Sequence, residues 1–341
     1  MSLWLSLPVV VGISLVLTGA LRRYALSRSL MDIPNARSSH SRPTPRSGGV
    51  AIVLSFLAVL PVLGWFGVAS WELVWALLGA GGGIAIIGFV DDRSHIAVRW
   101  RLLGHFAGAV WVLCWFNGMP ALNIFGISLS LGWLGNVLAA VYLVWMLNLY
   151  NFMDGIDGIA SIEAVSVCLG ACLVYWLCGY DSLIWAPLLL AMSVLGFLYW
   201  NFPPARIFMG DAGSGFLGMV LGVFSLQAAW HSTSLFWVWL ILIGVFVVDA
   251  TFTLIRRFLQ GARIYEAHRS HAYQCASRQL GTHSIVTLAV LTINVLWLLP
   301  IALYVELLGL DGLIGLVVAY VPLVILAVWF RAGELESHVQ N

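Results

Sequence analysis

Eleven apolar runs of about twenty residues, separated by short polar segments, leave this chain little choice of fold. They cover 3–21, 48–67, 71–90, 102–118, 131–149, 159–178, 183–200, 214–231, 235–255, 283–304 and 312–330. Only 9% of the residues are charged, against roughly 25% in a soluble domain, so much of the surface must face lipid. In hydrocarbon every backbone amide needs a partner within the chain, which an open sheet cannot supply. The expectation is an all-α integral membrane protein of about eleven transmembrane helices, a single polytopic domain over 1–341. Segment 118–130 alternates apolar and polar residues and predicts a short hairpin between two spans.

All sixteen basic residues are arginine. If the N-terminus starts outside, the inner segments are 22–47, 91–101, 150–158, 201–213, 256–282 and the tail from Arg331, and every arginine falls in one of them. Lys and Arg concentrate in cytoplasmic loops, so this segregation predicts a periplasmic N-terminus and a cytoplasmic C-terminus. The first twenty residues lack a basic leader, and Arg22 and Arg23 follow the apolar run, as expected of an uncleaved first span. No basic block exceeds a pair, which argues against nucleic acid. Five cysteines without a CxxC argue against a disulfide framework or a zinc site.

The polar residues able to do chemistry fall on the arginine side. The third span ends in Asp91 and Asp92. Two acids at a helix C-terminus meet each other's charge and the negative end of the dipole. Adjacent helical residues point about 100° apart, so the pair is suited to two tasks. Alone it also reads as a solvated helix end. The fifth span ends with Asn148, Asn151, Asp154 and Asp157 at a spacing of three. These are hard oxygen donors of the kind magnesium takes, together with water and substrate phosphate; manganese is an alternative, and a capped turn is the plainer reading. Beyond the seventh span come Asn201, Arg206, Asp211 and a GxGxxG at Gly213, Gly215 and Gly218. No βαβ unit surrounds those glycines, so they are not a dinucleotide fingerprint. Free amides at a helix start suit a phosphate, and Asp211 could bring a metal to it.

The last inner segment carries His268, Arg269 and His271 in a stretch holding five of the sixteen arginines. Guanidinium forks suit phosphate, although the topological charge bias by itself also explains arginines there. The first inner segment has Pro34, Arg37, His40, Arg42, Pro43, Pro45 and Arg46, a stiffened loop able to meet a lipid phosphate or simply to hold the loop inside. Glu163 and Asp249 lie within spans, where an ionisable group usually faces a cavity or partner; a plain helix-packing hydrogen bond is the alternative for both.

With these motifs in order, the chain resembles the polyprenyl-phosphate N-acetylhexosamine-1-phosphate transferases. The resemblance runs from the proline- and arginine-rich loop at Pro34, through Asp91-Asp92, the Asn151 to Gly158 motif and the Asn201 to Ser214 motif, to the HRSH loop at His268. It implies catalytic roles for Asp91, Asp92 and Asp211, with Asp91 as the base toward the lipid phosphate. It implies a magnesium site at Asp211, Asn151 and Asp154. Arg101, Asn201, Arg206, His268, Arg269 and His271 would bind the nucleotide sugar or its phosphates, and His40, Arg42 and Arg46 the lipid phosphate. The partners implied are a UDP-N-acetylhexosamine, undecaprenyl phosphate and membrane lipid, with a homodimer possible. The peptidoglycan member has a run of adjacent histidines where this chain has HRSH. That departure, with eleven spans and an inner C-terminus, favours the branch that starts lipopolysaccharide O-antigen synthesis at the bacterial inner membrane. The peptidoglycan phospho-N-acetylmuramoyl-pentapeptide transferase is the alternative within the family. A transporter or lipid flippase is the alternative outside it, though such a protein would carry repeated halves and midplane polar groups.

Overall fold

The computed structural model describes residues 3–34, 42–94, 96–262 and 268–334. Helices stand on all eleven apolar runs: α1 (Ser6–Ser27), α2 (Val50–Trp65), α3 (Trp71–Ser94), α4 (Val98–Phe116), α5 (Gly132–Met153), α6 (Ile159–Cys178), α7 (Asp181–Asn201), α8 (Asp211–His231), the pair α9 (Thr233–Leu242) and α10 (Gly244–Leu259), then α12 (His283–Leu307) and α13 (Gly312–Trp329). Among the described residues, eight helices are long and apolar enough to cross a membrane, and nine if α9 and α10, bent by 72°, form one broken span. Helix α2 is shorter, and α4 carries Arg99 and Arg101 in its first turn. The protein is a multi-pass membrane protein.

Among the described residues there are also two strand pairs, a 3-10 turn at Leu3–Leu5 and one short helix. Strands β1 (Met31–Asp32) and β2 (Thr44–Pro45) pair antiparallel, and β3 (Leu122–Ile124) with β4 (Ile127–Leu129) forms the hairpin expected at 118–130. Helix α11 (Ala272–Leu280) lies within the last inner segment, 256–282.

Helix α8 is the axis of the bundle and is almost wholly buried. Its glycines let neighbours come close. A Cβ at Gly218 would lie 2.5 Å from the Met146 carbonyl of α5. One at Gly88 of α3 would lie 2.6 Å from the backbone of Asp211 and Ala212. That second contact matters most, because it brings the end of α3 against the start of α8. The two acids flagged within spans are both paired. Glu163 accepts a hydrogen bond from Asn294 Nδ2 at 2.7 Å, and Asp249 caps α11, as described below.

Candidate active site

Backbone hydrogen bonds lace two distant segments together beside α8. Phe208 N–H donates to the Pro45 carbonyl at 2.8 Å, Gly48 N–H to Phe208 and Gly49 N–H to Met209, both at 2.9 Å. This seam sets Arg46 between two carboxylates, its Nη2 2.9 Å from Asp92 and 3.0 Å from Asp211. Burial works against the Arg46 charge, but Asp92, Asp211 and Asp32 more than offset it and raise its pKa above the ordinary arginine value. Asp92 is enclosed: besides Arg46 it accepts from Ser47 Oγ at 2.9 Å and from the Asp211 amide at 3.1 Å. A carboxylate on the first amide of α8 meets the positive end of that helix.

Asp91 serves other partners. It accepts from the Ile96 amide at 2.6 Å and pairs with Arg101 at 2.5 Å. On α5, Asn151 Nδ2 donates to Asp211 Oδ1 at 3.1 Å and to Ser214 Oγ at 2.9 Å. Asp154 follows the last turn of α5. Burial, then the negative charge of Asp211, push its carboxyl well above the usual carboxylate range. Residues from α3, α5, α8 and the Arg46 segment therefore converge at one end of the bundle.

The histidine loop is docked beside them. Asp249 of α10 takes the first amides of α11, Ala272 at 2.8 Å and Tyr273 at 2.9 Å, and lies 3.4 Å from His271 Nδ1. His271 stacks on His268 and Phe152, with ring centroids 4.9 and 6.4 Å away. Tyr273 Oη donates to the Phe152 carbonyl at 2.9 Å. Phe152 lies between Asn151 and Asp154, so this packing carries the loop to the acid cluster. Burial, with His271 and Arg257 nearby, lowers the His268 pKa to about 3.

Other candidate residues lie apart from that cluster. Asn201 is buried and spends its amide inside the fold, accepting from Gly158 N–H at 3.1 Å and Ser161 Oγ at 3.2 Å and donating to the Ile207 carbonyl at 3.1 Å. Arg206 donates to the Tyr199 carbonyl at 2.8 Å and lies over the Tyr199 and Trp200 rings. Arg42 is exposed, Arg269 is half-buried with its carbonyl bonded by Arg278, and His40 lies outside the described residues.

The glycosyl transferase family 4 model matches residues 74–229, which include Asp91, Asp92, Asn151, Asp154 and Asp211. A probable undecaprenyl-phosphate N-acetylglucosaminyl 1-phosphate transferase of Bacillus subtilis is 31% identical over 264 residues, 76% of this chain and 73% of the relative. The chain belongs to this family, the polyprenyl-phosphate hexosamine-1-phosphate transferases. The undecaprenyl-phosphate alpha-N-acetylglucosaminyl 1-phosphate transferase of Thermotoga maritima is 28% identical, covering 79% of this chain and 80% of the relative. A phospho-N-acetylmuramoyl-pentapeptide-transferase of Bacillus licheniformis is 31% identical, covering 74% and 81%.

As a phosphoglycosyltransferase the protein must manage charge on phosphate. Among the described residues, no three Asp, Glu, His or Cys side chains form a ready metal cage. Magnesium asks for less: one or two carboxylates, with water and substrate phosphate completing its octahedron. Asp211, Asn151 and Asp154 are all oxygen donors and the first two are in contact, so the residues present fit a divalent ion held jointly with a phosphorylated substrate. Sequence reasoning missed Ser47, Ser214 and Tyr273, which orient the acids and the histidine loop, and His105, which shares a cavity with Asp91, Arg101, Asn151 and Asp211. The available signal for His105 was its place four residues after Arg101, on the same helix face.

Proposed function

We propose that this transferase moves N-acetylhexosamine-1-phosphate from a UDP-sugar to undecaprenyl phosphate and releases UMP. It does so with magnesium, on the cytoplasmic face of the bacterial inner membrane, as the first membrane step of lipopolysaccharide O-antigen synthesis. The observation that carries the reading is the contact between Asn151 and Asp211 beside Arg46, Asp91 and Asp92 at one end of the bundle. The names of the Bacillus subtilis and Thermotoga maritima relatives favour N-acetylglucosamine as the sugar. The cytoplasmic orientation rests on where the arginines fall.

In the reaction an oxygen of the lipid phosphate attacks the β-phosphorus of the UDP-sugar. The bond from that phosphorus to the bridging oxygen breaks, and UMP leaves. One phosphoanhydride replaces another, so catalysis is chiefly positioning and charge stabilisation. Magnesium, when bound at Asp211, Asn151 and Asp154, supplies positive charge to the transferring phosphoryl group. Asp91 holds the proton of the lipid phosphate away from the attacking oxygen and is itself oriented by Arg101 and the Ile96 amide. Asp92 is a positioning residue, fixing Arg46 and the first amide of α8. His268, Arg269 and His271 present the loop that grips the donor pyrophosphate.

Detergent-purified protein with undecaprenyl phosphate, magnesium and a panel of UDP-sugars tests this. UMP release with a UDP-N-acetylhexosamine, lost in Asp211→Asn, is the expected result. Release unchanged in both Asp91→Asn and Asp211→Asn would overturn the assignment. The Bacillus licheniformis relative favours a second reading, in which the donor is UDP-N-acetylmuramoyl-pentapeptide; turnover of that donor alone would select it. Direct attack predicts no covalent sugar-phosphate on the protein, and trapping one at Asp211 would replace it with a two-step route.

A further inference from the structure

Between α3, α4, α5 and α8 lies a cavity of about 20 Å3, room for a single water-sized group. Its walls are apolar on the membrane side, with Ile84, Ile87 and Leu147, and polar on the other, with Asp91, Arg101, Asn151 and Asp211. His105 also lines it, one helical turn beyond Arg101 on α4. His105 is only 7% exposed and its Nδ1 has no hydrogen-bond partner. Arg101 faces the same cavity, and its Nε is likewise buried without a partner.

An arginine Nε is always a donor, and the Nδ1 of a neutral histidine is one in the tautomer that carries its proton there. With His105 in that tautomer, two buried donors beside a void of one-atom size lack an acceptor. Leaving a buried donor unmet costs its full desolvation, more than a typical hydrogen bond contributes, and an ionisable side chain within the membrane calls for a partner. The acids at the rim oppose an incoming anion, but Asp91 is already neutralised by Arg101 at 2.5 Å. A charged phosphate oxygen is the stronger acceptor for such donors, and the reacting phosphates must approach these same acids.

We infer that His105 is a substrate-binding residue that, with Arg101, donates to a phosphoryl oxygen inserted into this cavity. This rests on the proposed transfer reaction. The oxygen belongs to the acceptor phosphate or to the donor pyrophosphate, and kinetics separate the two.

The test uses the full-length protein and measures UMP release while each substrate is varied in turn. His105→Phe keeps the ring's shape and loses the donor; His105→Asn keeps an N–H near the place of Nδ1. The expected result is a rise of about tenfold in KM for one substrate in His105→Phe, a smaller change in kcat, and recovery of most of the loss in His105→Asn. The substrate whose KM moves is the one whose phosphate enters the cavity. Unchanged KM for both substrates in His105→Phe, or an equal rise in His105→Asn, would overturn the inference while leaving the transfer reaction standing. If His105→Phe does not fold, His105→Leu takes its place. Misfolding of both beside a folded His105→Asn would assign His105 to the fold and overturn the inference too. Absence of turnover by the wild-type chain with every donor would remove the functional reading first, and this one with it.

Discussion

Gly88 is where the acid-bearing end of α3 meets the start of α8, and substituting it tests how the acids are brought together. A Cβ there would lie 2.6 Å from the Ala212 nitrogen and the Asp211 carbonyl group, where ordinary contact begins at 3.4 Å. These are backbone atoms of α8, so no rotamer change relieves the clash, and α3 must move by about 0.8 Å. Overpacking of this kind costs about 1–3 kcal/mol. The displaced turn carries Asp91 and Asp92, and a shift near 1 Å at a reacting centre lowers rate by about 10²-fold. Gly88→Ala should therefore lower the thermal midpoint in detergent and reduce kcat for UMP release by that order. Gly83→Ala on the same helix is the matched control, since a Cβ there meets nothing within 4 Å. It should be neutral, or stabilising by up to about 1 kcal/mol through helix propensity. Wild-type kcat in Gly88→Ala, or equal losses in both variants, would refute the reasoning.

Three further outcomes follow from the site. Asp249→Ala removes the acceptor of the Ala272 and Tyr273 amides, a cap worth about 0.5–2 kcal/mol, so KM for the nucleotide sugar should rise severalfold with less effect on kcat. His268 is held neutral down to a pKa of about 3, against 6.5 when unfolded. Between those values the unfolded chain binds the extra proton, so stability falls as pH drops below about 6.5; His268→Asn should flatten that acid slope in thermal melts. Chelation by EDTA should reduce UMP release to background, with recovery on adding magnesium or manganese, whereas full activity in EDTA would remove the metal from the mechanism.

Much of the architecture was legible because the solvent wrote it into the chain. In lipid, an apolar run of spanning length has few choices but a helix, and the alternation at 118–130 marked its hairpin. The polar cluster was legible as a list of residues sharing one side of a topology, but not as geometry. Nothing local in Asp91-Asp92 says that Asp92 is enclosed by Ser47, Arg46 and the Asp211 amide while Asp91 turns to Arg101. Those contacts join segments far apart in sequence. Asn201 and Arg206 sit in the right motif, yet Asn201 bonds to Gly158, Ser161 and Ile207 and Arg206 to the end of α7, because their neighbours in space are set by how the 202–210 loop folds back. Helix α11 was hard to read in the sequence because Asp249, which takes its first amides, lies 23 residues upstream of Ala272, and its local capping box joins His271 to Gln274 in place of the usual Ser, Thr, Asp or Asn cap.

The lacing of 45–49 to 207–209 also limits how this enzyme can vary. Arg46 lies between two tied points, Pro45 and Gly48, so the length of chain between them fixes where its side chain emerges. A single-residue insertion or deletion between Pro45 and Gly49, or between Ile207 and Asp211, would swing Arg46 away from both carboxylates without touching a catalytic side chain. Changes of length must be absorbed outside that stitched stretch, leaving its spacing as tightly constrained as the identity of any acid it serves.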